Sequence, residues 1–203
     1  AQQHYMDSAR KLSKARRSAA KTLSQQVQKQ LTALGMKAAQ LDARLSECSP
    51  TLDGLEEVEF LFSANPGQPL KPLGKVASGG ELSRVSLAIQ VICARNLTVP
   101  SLVFDEVDVG VGGGVAESVG RLLRELGQHA QVLCITHQPQ VASQGHQHWQ
   151  VHKIQGDDTT HTRIQGLDET ARVEELARML GGVEITESTR NHAKEMLSKA
   201  QAA

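Results

Sequence analysis

The opening of the chain carries one long apolar stripe. From Tyr5 to Leu34 the apolar residues recur mostly at steps of three, four or seven, and Lys, Arg, Gln and Ser stand between them. Such spacing places the apolar side chains on one face of a helix, and Gly35 stands where a glycine commonly ends one. The pattern predicts a single amphipathic helix over residues 1–34.

A period of two follows this helix. Residues 39–46 alternate between apolar and polar side chains, which predicts a strand, although Leu41 and Leu45 would also suit a helical turn. The segment EVEFLFSA at 57–64 is a firmer strand because it is rich in β-branched and aromatic residues. The prolines and glycines of 65–74 predict a loop.

From residue 80 onwards, helical and strand patterns alternate. The segments SLVFDE (101–106) and QVLCIT (131–136) are continuous apolar runs, which are typical of a parallel sheet that is covered on both faces. We therefore predict an α/β fold with a mostly parallel sheet and flanking helices. The other predicted elements are helices over 80–96, 115–127, 138–143, 168–180 and 187–200, and a hairpin over 148–167.

Composition and charge indicate one globular lobe with a basic helical arm. The chain has 203 residues, 39% of them hydrophobic, which suffices for one sizeable core. We expect one lobe over 35–203 and an arm helix over 1–34. The formal net charge is zero, but residues 1–37 hold eight basic side chains and one acidic side chain. This basic arm is either a DNA contact or the solvated face of a coiled coil.

Cysteine usage and hydropathy limit where the protein works. The three cysteines are far apart and lack CxxC spacing, which fits a reducing compartment. The sequence has no apolar run long enough for a membrane span and no signal-peptide pattern. We expect a cytoplasmic protein without a membrane partner. Because the sequence opens with alanine inside a helical pattern, we also expect it to be a piece of a longer protein.

The first candidate for chemistry is SGGE at 78–81. Ser78 and Glu81 have the spacing of a capping box ahead of the apolar positions of a helix. A cap does not require Gly79 and Gly80, which leave the first backbone N–H groups of the helix open to an anion at the positive end of its dipole. The segment is therefore both a predicted cap and a candidate phosphate contact.

Two carboxylates and a histidine end the two apolar strands. Asp105 and Glu106 follow the first strand, and His137 follows the second after one intervening helix. Parallel neighbours joined by one crossover bring their carboxyl ends to one edge, where ligands of α/β folds bind. There an Asp can hold Mg²⁺, a Glu can take a proton from water, and a His can hydrogen-bond a γ-phosphate. The alternative is a solvated acidic turn and a structural histidine.

Together these motifs resemble a known family. ASGGELS, LVFDE and ITH are similar to the signature motif, Walker B strand and switch histidine of ABC-type ATPases. The long preceding helix resembles the SMC-like branch with coiled-coil arms, and FDEVDVGVGGG, THQPQVAS and ELARMLGG resemble its DNA repair members. The resemblance implies the carboxyl-terminal half of an ABC/SMC-type ATPase head. It also implies recombinational repair of DNA double-strand breaks by ATP-dependent head engagement.

The resemblance also implies a role for each site residue. Segment 78–81 would contact the γ-phosphate of ATP bound on the opposite head, through Ser78 and the two glycines that follow it. Asp105 would help to hold Mg²⁺, Glu106 would be the general base, and His137 would be the γ-phosphate switch. One position departs from the family pattern, because Gly112 stands where many relatives carry an Asp.

The sequence lacks the loop that cradles a nucleotide. No GxxxxGK[ST] motif occurs in it. By the resemblance, that loop would come from a missing amino-terminal half of the head, and a homodimer would form through ATP-bridged heads. We expect the complete protein to be a nucleoid-associated ATPase that binds DNA, and this chain alone to be inactive.

Several alternatives compete with this interpretation. An ABC transporter ATPase fragment would share the head chemistry, and a non-catalytic dimerisation or scaffold fragment would keep the motifs without turnover. Ser78, Asp105 and His137 follow the order of a hydrolase triad, but the GxSxG elbow is absent. Four histidines in or beside the predicted hairpin lack a carboxylate at fixed spacing, and we expect them to be solvated rather than to bind metal: His146, His148, His152 and His161.

Overall fold

The computed structural model describes residues 1–75, 78–94, 99–155, 160–181 and 184–202. The chain divides into two compact units, Ala1–Thr98 and Val99–Ala203. An α/β fold is confirmed. Parts of four predicted features lie outside the described residues: the end of the helix predicted to reach residue 96, Ala77 of the signature motif, residues 156–159 of the predicted hairpin, and Gly182 of ELARMLGG.

The first unit packs helices against an antiparallel sheet. Strands β1, β2 and β3 are hydrogen-bonded in that order, and β1 pairs with β2 from Gln40↔Ser63 to Thr51↔Gly54. The strand predicted over 39–46 is confirmed and extends further than predicted. The elements are α1 (Gln2–Ala33), β1 (Gln40–Thr51), β2 (Gly54–Ser63), β3 (Lys71–Pro72), a 3₁₀ turn (Leu73–Lys75) and α2 (Gly79–Cys93).

Helix α1 lies along the β1–β2 hairpin. It buries Ala9, Val27 and Leu31, so the predicted apolar stripe is confirmed at its two ends. Leu12 stays 40% exposed, and the helix also meets the hairpin through polar contacts. One of these is Arg16 Nη1, which donates to a backbone carbonyl of the hairpin turn at 2.7 Å.

The second unit contains the predicted crossover. Strands β4 and β5 are parallel neighbours, paired from Ser101↔Gln131 to Phe104↔Cys134, and β6 and β7 form the predicted antiparallel hairpin. The elements are β4 (Ser101–Phe104), α3 (Gly113–Leu126), β5 (Gln131–Cys134), α4 (Pro139–Ala142), β6 (Trp149–Gln155), β7 (Thr160–Gly166), α5 (Glu169–Gly181) and α6 (Glu187–Ala202).

The prediction of a mostly parallel sheet is wrong in its proportions. Among the described strands, β4–β5 is the parallel pairing, whereas β1–β2–β3 and β6–β7 pair antiparallel. Short connections allow only antiparallel neighbours, and parallel strands need a crossover such as α3. The sheets of the fold are therefore mixed.

The core of the second unit lies among its helices rather than on both faces of β4–β5. Leu176 and Leu197 are buried with three alanines of α4, α5 and α6. Val103, Leu133 and Ile135 remain 67%, 54% and 61% exposed, so the prediction of strands covered on both faces is wrong for this chain. No helix among the described residues is long and apolar enough to cross a membrane.

Candidate nucleotide site

The signature segment starts helix α2 in the first unit. Ser78 is the N-cap, with extended backbone angles, and its hydroxyl accepts a hydrogen bond from the backbone N–H of Glu81 at 3.4 Å. This satisfies one of the donors that a helix start leaves open. Ser78 and Gly79 are exposed, and Gly80 is buried. The predicted cap is confirmed, and the phosphate contact stays a prediction.

A buried cation lies one turn into the same helix. Arg84 is only 8% exposed. Burial lowers the pKa of its guanidinium below the ordinary value, and the carboxylate of Glu81 opposes that shift. A guanidinium stays charged at neutral pH even so. Sequence reasoning missed this residue, although the Glu-x-x-Arg spacing indicated it. Arg84 adds positive charge close to the helix start where an anion would bind.

The β4–β5 ladder determines where the carboxylates and the histidine lie in the second unit. Phe104 pairs with Cys134, and the N–H of Ile135 donates to the carbonyl of Phe104 at 3.0 Å. Both strands therefore end at the same edge, and segments 105–106 and 136–137 leave it side by side. The side chains of Asp105, Glu106 and His137 are exposed there. The predicted common edge is confirmed, and the chemical roles stay predictions.

Glu106 has an unusual backbone conformation. Its φ angle is 59°, the left-handed region, which costs a residue with a side chain about 1–2 kcal/mol. Its N–H donates to Oδ1 of Asp105 at 3.0 Å. Strain of this kind occurs at functional sites, where the surrounding structure must hold it in place.

The strand edge supplies one carboxylate of the kind that binds Mg²⁺. Mg²⁺ in phosphate-transfer sites takes one or two carboxylates, and phosphate and water oxygens complete its shell. Asp105 supplies one exposed carboxylate at the strand end. The described residues contain no group of three or more His, Cys, Asp or Glu side chains that could hold a metal by themselves. Asp105 is thus suited to hold Mg²⁺ only together with nucleotide phosphates.

Gly112 forms the start of helix α3. It is the N-cap, with φ −158° and no side-chain cap bond, and a Cβ built on it meets no atom within 4 Å. This extended conformation is open to any residue. The chain therefore has room for the aspartate of the family pattern at this position.

The structural comparisons define the fold. The Smc head domain with coiled coil and joint from Pyrococcus yayanosii gives a TM-score of 0.55 at 19% identity, covering 80% of this chain and 29% of that one. The Smc head domain with an extended coiled coil from Pyrococcus furiosus, bound to the C-terminal domain of ScpA, gives a TM-score of 0.52 at 19% identity. That match covers 81% of this chain and 39% of the other chain. The chain has the fold of an SMC-type head.

The sequence comparisons define the family. "DNA repair protein RecN" of Vibrio cholerae is 50% identical over 200 residues, that of Xylella fastidiosa 49% over 200, and that of Bacillus subtilis 41% over 208. These alignments cover 98%, 97% and 95% of this chain. The chain belongs to the RecN family. It spans 36% of the length of these relatives, and no family model matches it.

Proposed function

We propose that this chain is the part of an SMC-like ATPase head that supplies the signature motif and the Walker B strand. The complete protein would act in recombinational repair of DNA double-strand breaks through ATP-dependent head engagement. The observation that carries the proposal is the common edge of β4 and β5, where Asp105, Glu106 and His137 follow paired strands. The names of the RecN relatives support the part played in DNA repair.

Each residue at the edge has a role that its chemistry can perform. Glu106 is exposed and ionisable, so it can take the proton of an attacking water. Asp105 would hold Mg²⁺, which when bound neutralises charge on the β- and γ-phosphates. His137 would hydrogen-bond the γ-phosphate and report its presence.

The signature segment would act on a second nucleotide. Ser78 and Gly79 are exposed at the start of α2, where backbone N–H groups and the helix dipole favour an anion. The γ-phosphate bound by segment 78–81 would belong to ATP on the opposite head of a homodimer. In that arrangement ATP joins the two heads.

The rest of the head would come from another segment of the polypeptide. The sequence has no GxxxxGK[ST] loop for the phosphates, and one apolar face of β4–β5 is exposed at Val103, Leu133 and Ile135. An apolar sheet face is normally covered by another layer of the same domain. We propose that the Walker A segment covers this face. The carboxyl-terminal position of the chain within the longer protein stays a prediction, as do its DNA contacts and its place at the nucleoid in the cytoplasm.

The test is Glu106→Gln in the complete protein. The amide keeps the shape of the side chain but cannot take a proton, so ATP should bind and the heads should engage while turnover falls roughly 10²-fold or more. Glu117→Gln, at an exposed position of α3 in the same unit, is the matched control and should turn over normally. Turnover of Glu106→Gln within a few-fold of wild type would exclude Glu106 as the base.

A second measurement separates the enzyme from a scaffold. The isolated chain should not hydrolyse ATP, because the cradle for the β- and γ-phosphates lies elsewhere. Co-expression with the remainder of the polypeptide should restore hydrolysis. If the two parts assemble and hydrolysis does not return, the chain is a dimerisation or scaffold segment.

A further inference from the structure

Asp108 is a buried carboxylate that the proposed chemistry does not use. It lies two residues after Glu106 and is 1% exposed. A carboxylate removed from water to this degree is unfavourable unless it is well hydrogen-bonded. Its position in the turn that follows β4 therefore calls for a specific partner.

That partner is Thr136, the residue before His137. The Thr136 hydroxyl donates to Oδ2 of Asp108. Oγ1 of Thr136 in turn accepts from the backbone N–H of Gln138 at 2.9 Å. A hydroxyl has one proton to donate and lone pairs to accept with. Thr136 thus connects the turn after β4 to the segment after β5, and its hydroxyl acts both as a donor and as an acceptor.

The side chain of Gln138 makes a second connection between the two segments. Its Nε2 donates to the carbonyl of Val111 at 3.2 Å and lies 3.3 Å from Nε2 of His137. A carbonyl only accepts, so the amide atom facing Val111 is the nitrogen, and that nitrogen only donates. A hydrogen bond between this nitrogen and Nε2 of His137 therefore has the histidine nitrogen as its acceptor.

The turn that Asp108 anchors is the one that holds Glu106 in its left-handed conformation. The N–H of Val109 donates to the carbonyl of Glu106 at 3.2 Å, and that of Val111 to the carbonyl of Asp108 at 3.3 Å. These are long bonds between neighbours within one turn. The contact from Asp108 to Thr136 attaches this turn to the adjacent strand end, together with the contact from Gln138 to Val111.

We propose that Asp108 and Thr136 are positioning residues for ATP hydrolysis, which hold the Glu106 turn and the His137 segment in one fixed arrangement. This inference rests on the proposed function of Glu106 and His137. Neither Asp108 nor Thr136 touches the nucleotide in this proposal. Their hydrogen bond sets the position of the base relative to the γ-phosphate switch, and small misplacements of a catalytic group have large effects on rate.

The experiment compares Thr136→Val with Thr136→Ser in the complete protein. Valine keeps the shape and loses the hydroxyl, so kcat for ATP should fall roughly 10- to 10²-fold while KM and ATP-dependent head dimerisation stay at wild-type values. Serine keeps the hydroxyl and should recover most of that loss. If the valine variant does not fold, Thr136→Ala against Thr136→Ser gives the same comparison.

A matched control removes another threonine from the same unit. The hydroxyl of Thr186 accepts from the backbone N–H of Thr189 at 3.2 Å, at the start of α6. Thr186→Val should lower stability without changing kcat. The proposal is overturned if Thr136→Val keeps wild-type kcat, if it loses ATP binding together with turnover, or if serine fails to restore activity.

Failure of this inference differs from failure of the proposed function. If Glu106→Gln abolishes turnover and Thr136→Val does not reduce it, the site assignment stands and the positioning role is wrong. If Glu106→Gln turns over normally, the site assignment itself is wrong.

Discussion

The thiol of Cys134 is half-buried beside the carboxylate of Asp108, and this raises its pKa to about 12. Burial is the largest cause, followed by the negative charges of Asp108 and then Asp105. Because only the thiolate is reactive, we expect iodoacetamide at pH 8 to alkylate Cys134 roughly 10²-fold or more slowly in folded protein than in urea. Peptide mass spectrometry over time measures this. Equal rates in the two states would place the thiol in a different environment.

His148 should make the second unit sensitive to acid. Burial lowers its pKa below 6.5, Arg172 adds to the shift, and Glu175 opposes it. Above pH 6.5 both folded and unfolded chains carry the neutral ring, so the effect on stability is absent there. As pH falls below 6.5 the unfolded chain gains a proton first, and the unfolding free energy decreases until the folded pKa is passed.

Hydrogen exchange of the α5 amides between pH 7.5 and 5 measures this acid sensitivity. We expect protection in the wild type to fall relative to protection in His148→Gln, which has no proton to gain. Parallel pH profiles for the two proteins would contradict the prediction.

Ser78 separates a helix cap from a phosphate contact. Ser78→Ala removes the acceptor for the Glu81 N–H and should cost about 1 kcal/mol. Ser78→Asp keeps a cap but places a carboxylate beside an incoming γ-phosphate, so ATP-dependent dimerisation of complete heads should fail while each head still binds ATP. Light scattering and nucleotide binding on one sample measure both properties.

The control for Ser78 uses a cap in the other unit. Asp168 accepts from the N–H of Ala171 at 2.8 Å and caps α5. Asp168→Ala should cost a similar stability and leave dimerisation intact. If Ser78→Asp also dimerises normally, segment 78–81 only starts a helix.

We expect the backbone conformation of Glu106 to lower the stability of the fold, although its side chain is needed for turnover. At φ 59° a glycine is not strained, so Glu106→Gly should be about 1 kcal/mol more stable than Glu106→Ala. Both variants should lose turnover. Hydrogen exchange in β4 and α3, with an ATPase assay, measures the two effects. A glycine variant no more stable than the alanine variant would show that the backbone at this position is not strained.

Gly120 is required by the packing of α3 on α4. A Cβ there would lie 2.7 Å from Cγ of Gln144 and 3.1 Å from the carbonyl oxygen of Gln140. Gly120→Ala should therefore cost about 1–3 kcal/mol, despite its better helix propensity. Gly114→Ala, in the same helix with nothing within 4 Å, should instead gain about 0.5–1 kcal/mol. Amide exchange in α3 distinguishes the two, and equal effects would contradict the packing argument.

The sequence alone determined the features that depend on local spacing. The spacing of apolar residues predicted helix α1, the strand at 57–63, and the strand ends that carry Asp105 and His137. The Ser78 cap was predicted by a serine at the usual position before a helix. A crossover helix between two apolar strands also predicted their parallel pairing. Such features depend on local backbone geometry, which the residues of each segment determine by themselves.

Only the tertiary structure decided what is covered and what meets across the fold. The apolar run SLVFDE predicted burial on both faces, yet Val103 is 67% exposed because none of the described residues of this unit covers that face. Asp108 was not among the predicted site residues, yet it is buried and hydrogen-bonded to Thr136. Periodicity describes a segment by itself, whereas burial and hydrogen-bond partners depend on residues distant in sequence, and those are brought together only by folding.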